Sequence, residues 1–233
     1  MTARKDHQLI VFGGPSLPNK HEWGAIDLRP PAAHGDFASL IGQRSIVVLL
    51  DGEFIYRGAV THHEIWELLE SGVCVIGAAS TGALRAVELG GCGMVGVGVV
   101  YKALLEEIIT DDSELAVGMC PTTYEALSIP LVNIRRFLFG AMTAGLPTNA
   151  VEEAWQRAAK IYWLSRTPAE LLEVWSRPPT QEIAKMFKST PSGKWNVKGS
   201  DAIAAIHYAQ RLAAGSVEPT PTPALNLLTS NLI

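Results

Sequence analysis

The chain has 233 residues, of which 48% are hydrophobic and 18% are charged, and its formal net charge is −4. This composition is typical of a well-packed globular protein and excludes a chain that is disordered throughout. The negative net charge argues against binding to nucleic acid or to an anionic membrane surface.

Short apolar runs bounded by turn residues predict three strands in the first half of the chain. Gln8–Phe12 leads into a Gly-Gly-Pro-Ser turn, residues 45–50 end at Asp51, and residues 73–76 end at Gly77. Continuous apolar runs of this kind are typical of parallel strands that are covered on both faces.

A helix is predicted between the second and third strands. Thr61 and Glu64 have the spacing of a capping box, Ile65 and Leu68 begin an apolar stripe, and Gly72 ends the helix. Strand, helix and strand in this order imply a right-handed crossover. We therefore expect an α/β fold, with a mostly parallel sheet and flanking helices.

From about residue 121 the apolar pattern becomes helical and predicts an all-helical C-terminal extension. Helix starts are expected at Thr148, at Thr167 before Pro168, and at Ser200, with the last helix ending by Gly215. A proline-rich spacer and an apolar tail follow. The predicted units are an α/β core that carries the site (1–120), a helical subdomain (121–215), and the spacer with the tail (216–233).

The turn after the third strand is the strongest candidate site. Ser80 stands between a buried strand and a helix of small residues, as the serine of a nucleophile elbow does, although Ala78 replaces the first glycine of GxSxG. The amide of Thr81 would then stabilise a developing oxyanion. The alternative interpretation is that Ser80 is an ordinary N-cap.

His62 and His63 are candidate bases, because the N-terminus of a helix disfavours the protonated imidazole. The crossover places this N-terminus near Asp51, at the edge where parallel strands end, so Asp51, a histidine and Ser80 are expected to converge there. Two surface histidines beside a helix cap are an equally good interpretation. For Arg85, an ion pair with Asp51 or Glu88 is as good as a role in substrate binding.

Other patterns predict no chemistry. Residues 91–96 satisfy GxGxxG, but they follow a helix and are better interpreted as a C-cap with a flexible connection. Asp111, Asp112 and Glu114 are interpreted as solvated turn carboxylates, and Arg135-Arg136 as the exposed edge of a helix. We therefore expect no bound metal and no cofactor.

Cys74, Cys92 and Cys120 are scattered and form no CxxC pair. This usage is typical of reduced, inert thiols and predicts neither a disulfide framework nor a zinc site. The apolar run at residues 9–12 is too short for a signal peptide, and the glycine-rich stretch at 90–100 is about half a membrane span. We therefore expect a cytoplasmic protein.

Taken together, these segments resemble the TfuA family, the partner proteins of YcaO enzymes in peptide backbone thioamidation. The resemblance covers roughly residues 9–140, and its most specific block is 77–89 together with the Gly-Pro-Ser loop. The matching segments are 11–17, 30–32, 35–36, 51–54, 59–60, 62, 64–65, 77–78, 80, 82–86, 88–89, 93–94, 96–98, 111–112, 114 and 132–135.

The resemblance implies a role in delivering sulfide to a YcaO enzyme. Members of the family are understood to release sulfide from a small ThiS-like sulfur-carrier protein that ends in a Gly-Gly thiocarboxylate. The expected partners are the YcaO enzyme and this carrier, with the precursor peptide as a further candidate. A Ser-Lys pair is attributed to the family, and its serine matches Ser80. The family often has His-Lys before Glu-Ile, where this chain has His62-His63.

The resemblance and the local pattern together predict acyl transfer. Ser80, helped by His63, attacks the thioacid carbonyl, while the amide of Thr81 and the loop of Gly14 and Ser16 hold the oxyanion, and Asp51 orients the base. Two alternatives remain. The protein is a non-catalytic adaptor that recruits peptide to a YcaO enzyme, or the Gly-Gly loop at the sheet edge binds a nucleotide.

Overall fold

A five-stranded parallel sheet forms the centre of the fold in the computed structural model, which describes residues 8–18, 23, 26–53 and 57–216. The strand order is β2-β1-β3-β4-β5, and every neighbouring pair is parallel. The strands are β1 (Gln8–Phe12), β2 (Asp27–Arg29), β3 (Ser45–Leu49), β4 (Cys74–Ala78) and β5 (Val95–Val97). The α/β prediction is confirmed.

Helices flank the sheet and form most of the second half of the chain. They are α1 (His62–Glu70), α2 (Thr81–Leu89), α3 (Val99–Leu105), α4 (Leu131–Thr143), α5 (Thr148–Ala159), α6 (Pro168–Val174), α7 (Gln181–Ser189) and α8 (Val197–Ala213). The predicted capping box of α1 is present, with Thr61 and Glu64 bonded in both directions. Within the described residues, no helix has the length and apolar character needed to cross a bilayer.

The two faces of the sheet are covered by different parts of the chain. On one face, α1 and α2 pack Ile65, Leu68 and Ala86 against side chains such as Phe12 and Leu49. On the other face lies α8, the last described helix, which buries a stripe of residues that consists of Ala202, Ala205, Ile206 and Ala209. The continuous apolar strands follow directly from this double cover.

The helices α4 to α7 have a core of their own, centred on Trp175, whose indole nitrogen donates to the carbonyl of Ala154 at 2.9 Å. The end of the chain is only partly described. The proline-rich spacer and the tail lie outside the described residues from 217 onward, as does Phe54 of the family resemblance.

Two strands and the N-caps of two helices differ from the sequence prediction. β2 and β5 were not predicted, and β5 occupies part of the glycine-rich stretch that was interpreted as a flexible connection. The last helix begins at Val197, with Asn196 as its side-chain cap, and not at Ser200. Helix α5 is preceded by Pro147, so Thr148 is its first residue and not its cap.

Candidate functional site

Three strands and three helix N-termini meet at the edge where the parallel strands end. Asp51 follows β3, Ser80 follows β4 and begins α2, and Gly98 follows β5 and begins α3. Helix α8 also starts at this edge, because Asp201 in its first turns accepts hydrogen bonds from the amides of Val99 and Val100. Ligand sites of open parallel sheets lie at this edge.

The turn that presents Ser80 is sharp and has little room. Ala79 has a φ of 66°, a left-handed conformation that is uncommon for a residue with a side chain. The N-terminus of α2 lies against the neighbouring strand, because a Cβ atom on Gly82 would overlap the carbonyl oxygen of Leu49. Gly77 is equally confined, since its Cβ would overlap the carbonyl of Gly82. This is the geometry of a strained strand-to-helix turn that holds a serine.

The hydroxyl of Ser80 does not cap its own helix. It makes no cap hydrogen bond and has no other partner in the described structure. Its oxygen is not fully buried, so it reaches solvent, although the residue as a whole is only 7% exposed. The interpretation as an ordinary N-cap therefore fails. Within the described residues, the amide of Thr81 also has no acceptor. An unpaired donor thus stands beside an unpaired hydroxyl.

Asp51 is buried and binds the loop after β1. One of its carboxylate oxygens accepts from the amides of Gly14 (2.8 Å) and Ser16 (3.0 Å), and the other accepts from the Ser16 hydroxyl (2.7 Å). The amides of Gly14 and Ser16 are therefore occupied, unlike the amide of Thr81. A nucleotide phosphate would reach the loop only by displacing the carboxylate.

Lys198 is the buried amine of this edge, at 2% exposure in the first turn of α8. Burial lowers the pKa of its amine to about 8, and the negative charge of Asp51 opposes part of this shift. An amine with this pKa is neutral in about a tenth of the molecules at pH 7 and in about half of them at pH 8. It can therefore accept a proton, which an exposed lysine cannot do at that pH.

Lys198 is held at both ends by residues of other elements. Its backbone amide donates to the side chain of Asn133 on α4 (3.3 Å), and its Nζ donates to the carbonyl oxygen of Leu115 (2.9 Å). The same Asn133 donates to Asn196, the cap of α8, at 3.0 Å. The amine therefore has a fixed position and is not mobile in solvent.

The segment that offers the Leu115 carbonyl is itself anchored. Glu114 and Arg135 form a buried ion pair with two hydrogen bonds, of 3.0 and 2.7 Å, and the guanidinium lies 4.4 Å from the ring centre of Trp155. The predictions of a solvated Glu114 and an exposed Arg135 are wrong. Asn133 and Arg135, both in the Val-Asn-Ile-Arg segment of α4, thus support Lys198 from two sides.

The sequence model of the TfuA-like protein family matches residues 51–167, about half of the chain. This chain belongs to the TfuA-like family. A search of curated proteins found no match. The matched segment contains Asp51 and Ser80, whereas Lys198 lies beyond it.

In this TfuA-like protein the two histidines that were predicted as candidate bases lie on the outer surface. His62 contacts Glu88 at 2.9 Å, about two turns along α2 from Ser80, and its side chain is 53% exposed. His63 is 71% exposed, lies 3.4 Å from Glu67, and stacks on Trp66. Neither imidazole has a hydrogen bond to Ser80 in the described structure.

Arg85 forms an ion pair with Glu88 at 2.6 Å. Of the two pairings predicted for it, the structure has the one with Glu88, while Asp51 is occupied by the loop after β1. Arg85 also lies 3.3 Å from the imidazole of His62. The cluster of His62, Arg85 and Glu88 joins α1 to α2 and is part of the outer surface.

Cys120 differs from the inert thiol that the sequence predicted. Hydrogen bonds from Thr122 and Thr123 lower the pKa of its thiol to about 6. Cys74 is closer to expectation, because burial raises its pKa. Among the described residues, no three His, Cys, Asp or Glu side chains are grouped as metal ligands would be.

Sequence reasoning missed Lys198, although the sequence around it carried a usable signal. With Asn196 as the cap, Lys198 lies on the same helical stripe as Ala202, Ala205 and Ala209, at spacings of three and four residues. A lysine on the apolar stripe of a helix is a candidate buried amine. The predicted start at Ser200 excluded it from the helix and hid this pattern.

Proposed function

We propose that this TfuA-like protein is a hydrolase that releases sulfide from a thiocarboxylated sulfur-carrier protein for a YcaO enzyme. The supporting observation is that an unpaired Ser80 hydroxyl stands at a strained strand-to-helix turn, at the same sheet edge as a buried lysine of lowered pKa. The family assignment supports the setting in peptide backbone thioamidation.

In the proposed reaction, Oγ of Ser80 attacks the thioacid carbonyl carbon while its proton passes to the neutral amine of Lys198. The oxyanion that forms accepts from the amide of Thr81, at the N-terminus of α2. The C–S bond then breaks, and Lys198 returns the proton to sulfur, which leaves as hydrosulfide. Water, deprotonated by the same amine, hydrolyses the ester to a carboxylate and frees Ser80.

The proposal gives the role of base to Lys198 in preference to His62 or His63. Both histidines already pair with carboxylates on the outer surface, while Lys198 is buried and feels the negative charge of Asp51. Asp51 holds the loop after β1 and stabilises the ammonium ion that forms during the reaction. No metal or redox cofactor is needed for this chemistry.

The expected partners are a YcaO enzyme, the carrier, and the precursor peptide that the YcaO enzyme modifies. A non-catalytic adaptor is the competing role. An adaptor would bind the YcaO enzyme and the peptide without releasing sulfide, so the two functions differ in one measurable product.

The test is sulfide release from a thiocarboxylated carrier by the intact protein and by Ser80→Ala. Release is expected to fall to the uncatalysed rate in Ser80→Ala and to persist in Ser113→Ala, which removes an exposed hydroxyl elsewhere. Release by Ser80→Ala at the wild-type rate would refute the nucleophile. Absence of release by the wild type, with retained binding to the YcaO enzyme, would select the adaptor.

A further inference from the structure

An open groove lies on the outer side of α2, next to the end of α3. It has a volume of about 580 Å³. Leu84 and Val87 line it from α2 and Leu104 from α3, and the buried side chain of Ile109 lies beside them. The side chains of Leu84, Val87 and Leu104 are only half-buried, so the groove exposes a continuous apolar floor. Such a floor is typical of a surface that binds another protein.

The charged residues that line this groove are all acidic. They are Glu107, Asp111 and Asp112, and all three are exposed. From residue 103 to residue 134 the chain contains no lysine and no arginine. Within the described residues, none of these three carboxylates forms an ion pair. The apolar floor is therefore surrounded by negative charge that the protein itself does not balance.

The cations nearest in sequence are bound to other carboxylates. Arg85 pairs with Glu88 at 2.6 Å, and Lys102 pairs with Glu106 at 3.5 Å. The carboxylates of the groove are thus left to attract positive charge from another molecule. Complementary charge of this kind guides a partner to a surface and fixes its orientation there.

We infer that this groove binds a basic amphipathic helix of a partner protein. The apolar face of that helix packs on Leu84 and Val87, and its lysine or arginine side chains pair with the acidic rim. Leu84 and Val87 are three residues apart on one face of α2, which is the spacing at which an incoming helix presents its own apolar residues. The floor and the rim thus match the two faces of such a helix.

Other occupants fit the charge less well. A second copy, related by a twofold axis through the groove, would bring the same carboxylates against each other, which is unfavourable. The chain's own C-terminal segment, residues 217–233, contains no lysine and no arginine. Nucleic acid is repelled by the rim, because its phosphates are also negative. A basic segment of a different protein satisfies both the floor and the rim.

The groove follows the face of α2 that begins at the candidate site. Ser80 precedes Leu84 by four residues and Val87 by seven, so the three positions lie on one side of the helix. A helix bound in the groove would therefore lie about one turn of α2, or ~5.4 Å, from the turn that carries Ser80. The inference itself does not depend on the chemistry proposed for Ser80.

Fluorescence anisotropy with a labelled synthetic peptide tests the inference. The probe is a helix of about 18 residues, built from leucine and lysine with the leucines at three- and four-residue spacing. The control peptide has the same composition in scrambled order. The wild-type protein is expected to bind the amphipathic peptide at least about tenfold more tightly than the scrambled one. Because the rim is exposed, the affinity should fall as the salt concentration rises.

A change in the charge of the rim tests the electrostatic part. Glu107→Lys/Asp112→Lys is expected to raise the dissociation constant about tenfold, because two attractive pairs become repulsive. The matched control is Glu70→Lys/Glu152→Lys, which changes the net charge equally at exposed positions outside the groove. This control should keep the wild-type affinity to within about twofold.

A change in the floor tests the apolar part. Leu84→Gln is expected to raise the dissociation constant about tenfold, since it places an amide where the apolar face of the peptide packs. Leu105→Gln is the matched control, because Leu105 is 55% exposed but does not line the groove. Urea unfolding establishes that each variant is folded.

Equal affinity for the amphipathic and scrambled peptides, or a folded rim or floor variant that binds as the wild type does, would overturn the inference. No binding to the wild type at about 0.1 mM peptide would do the same. If the wild type instead dimerises in sedimentation experiments and Leu84→Gln abolishes the dimer, the groove belongs to a second copy and the inference is wrong. Ser80→Ala is expected to bind the peptide with wild-type affinity, so a failure of the proposed hydrolase is distinguishable from a failure of this surface.

Discussion

Lys198 donates from Nζ to the carbonyl oxygen of Leu115 at 2.9 Å, although 83 residues separate them in the chain. This bond fixes a fully buried amine at the sheet edge that carries Ser80. The carbonyl belongs to a segment tied to α4 through Glu114 and Arg135. The family-matched half of the chain therefore orients a residue that lies beyond it.

Replacing Lys198 by methionine is expected to remove activity without unfolding the protein. General base catalysis contributes about 10²- to 10⁴-fold, so sulfide release should fall by that factor in Lys198→Met. Burying an ammonium ion is unfavourable, and methionine has a similar length, so the urea midpoint should be at least that of the wild type. Lys188→Met, on the exposed face of α7, is the matched control. A fully active Lys198→Met variant would show that Lys198 is not the base.

The rate of sulfide release should depend on the protonation of Lys198. Because the pKa of this amine is about 8, the neutral base becomes abundant as pH rises, and kcat/KM is expected to increase through about pH 8 and then level off. A histidine base with the ordinary pKa of about 6.5 would reach half of its plateau near pH 6.5 and level off by about pH 7.5. His63→Gln should retain the same profile. A profile with its midpoint near pH 6.5, lost in His63→Gln, would return the role of base to the histidine.

The close approach of α2 to β3 should make Gly82 intolerant of a side chain. Gly82→Ala is expected to lower the free energy of unfolding by about 3 kcal/mol, because the new methyl group overlaps the backbone of Leu49. Gly90→Ala is the matched control at the other end of the helix, where no atom lies within 4 Å and the backbone is helical. It should equal the wild type or exceed it by about 0.5 kcal/mol. Equal effects of both substitutions on urea unfolding would contradict the packing argument.

Asp201 should give the protein a pH-dependent stability. Burial raises the pKa of its carboxyl to about 7, whereas the unfolded chain titrates near 3.9. Between about pH 4 and pH 7 the folded protein therefore binds more protons than the unfolded chain. The contribution of Asp201 to the free energy of unfolding is fully present below about pH 4 and is lost as pH rises to about 7. In Asp201→Asn this slope disappears, and the single amide oxygen can still accept one of the two hydrogen bonds that Val99 and Val100 donate to the carboxylate. Between pH 4 and pH 7, the free energy of unfolding of the variant, measured by urea titration, should rise relative to that of the wild type by on the order of 2 kcal/mol. Parallel stability curves would show that the carboxyl does not titrate there.

Local signals were enough to predict the centre of the sheet and its first helix. β1, β3 and β4 are continuous apolar runs, and the capping box at Thr61 is a short-range pattern that tertiary packing did not change. The strand-to-helix turn at Ser80 was readable for the same reason. β2 and β5 have three residues each, which is too short for a periodic pattern, and their pairing depends on the neighbouring strands.

The base that we propose for Ser80 could not be predicted from local patterns. Lys198 joins the site only because α8 returns across the sheet and starts at the same edge, a long-range contact that no local pattern records. Conversely, the local pattern correctly predicted that His62 and His63 lie in the first turn of a helix. The positions of their rings are set by carboxylates on α1 and α2, which compete for them.

Whether Ser80 and Lys198 act as one unit is the central claim, and a double-mutant cycle on single-turnover sulfide release tests it most directly. The account predicts that Ser80→Ala, Lys198→Met and the double variant all fall to the same residual rate, because residues of one catalytic unit lose their effect together. Multiplicative losses in the double variant, or a wild-type rate in either single variant, would contradict it.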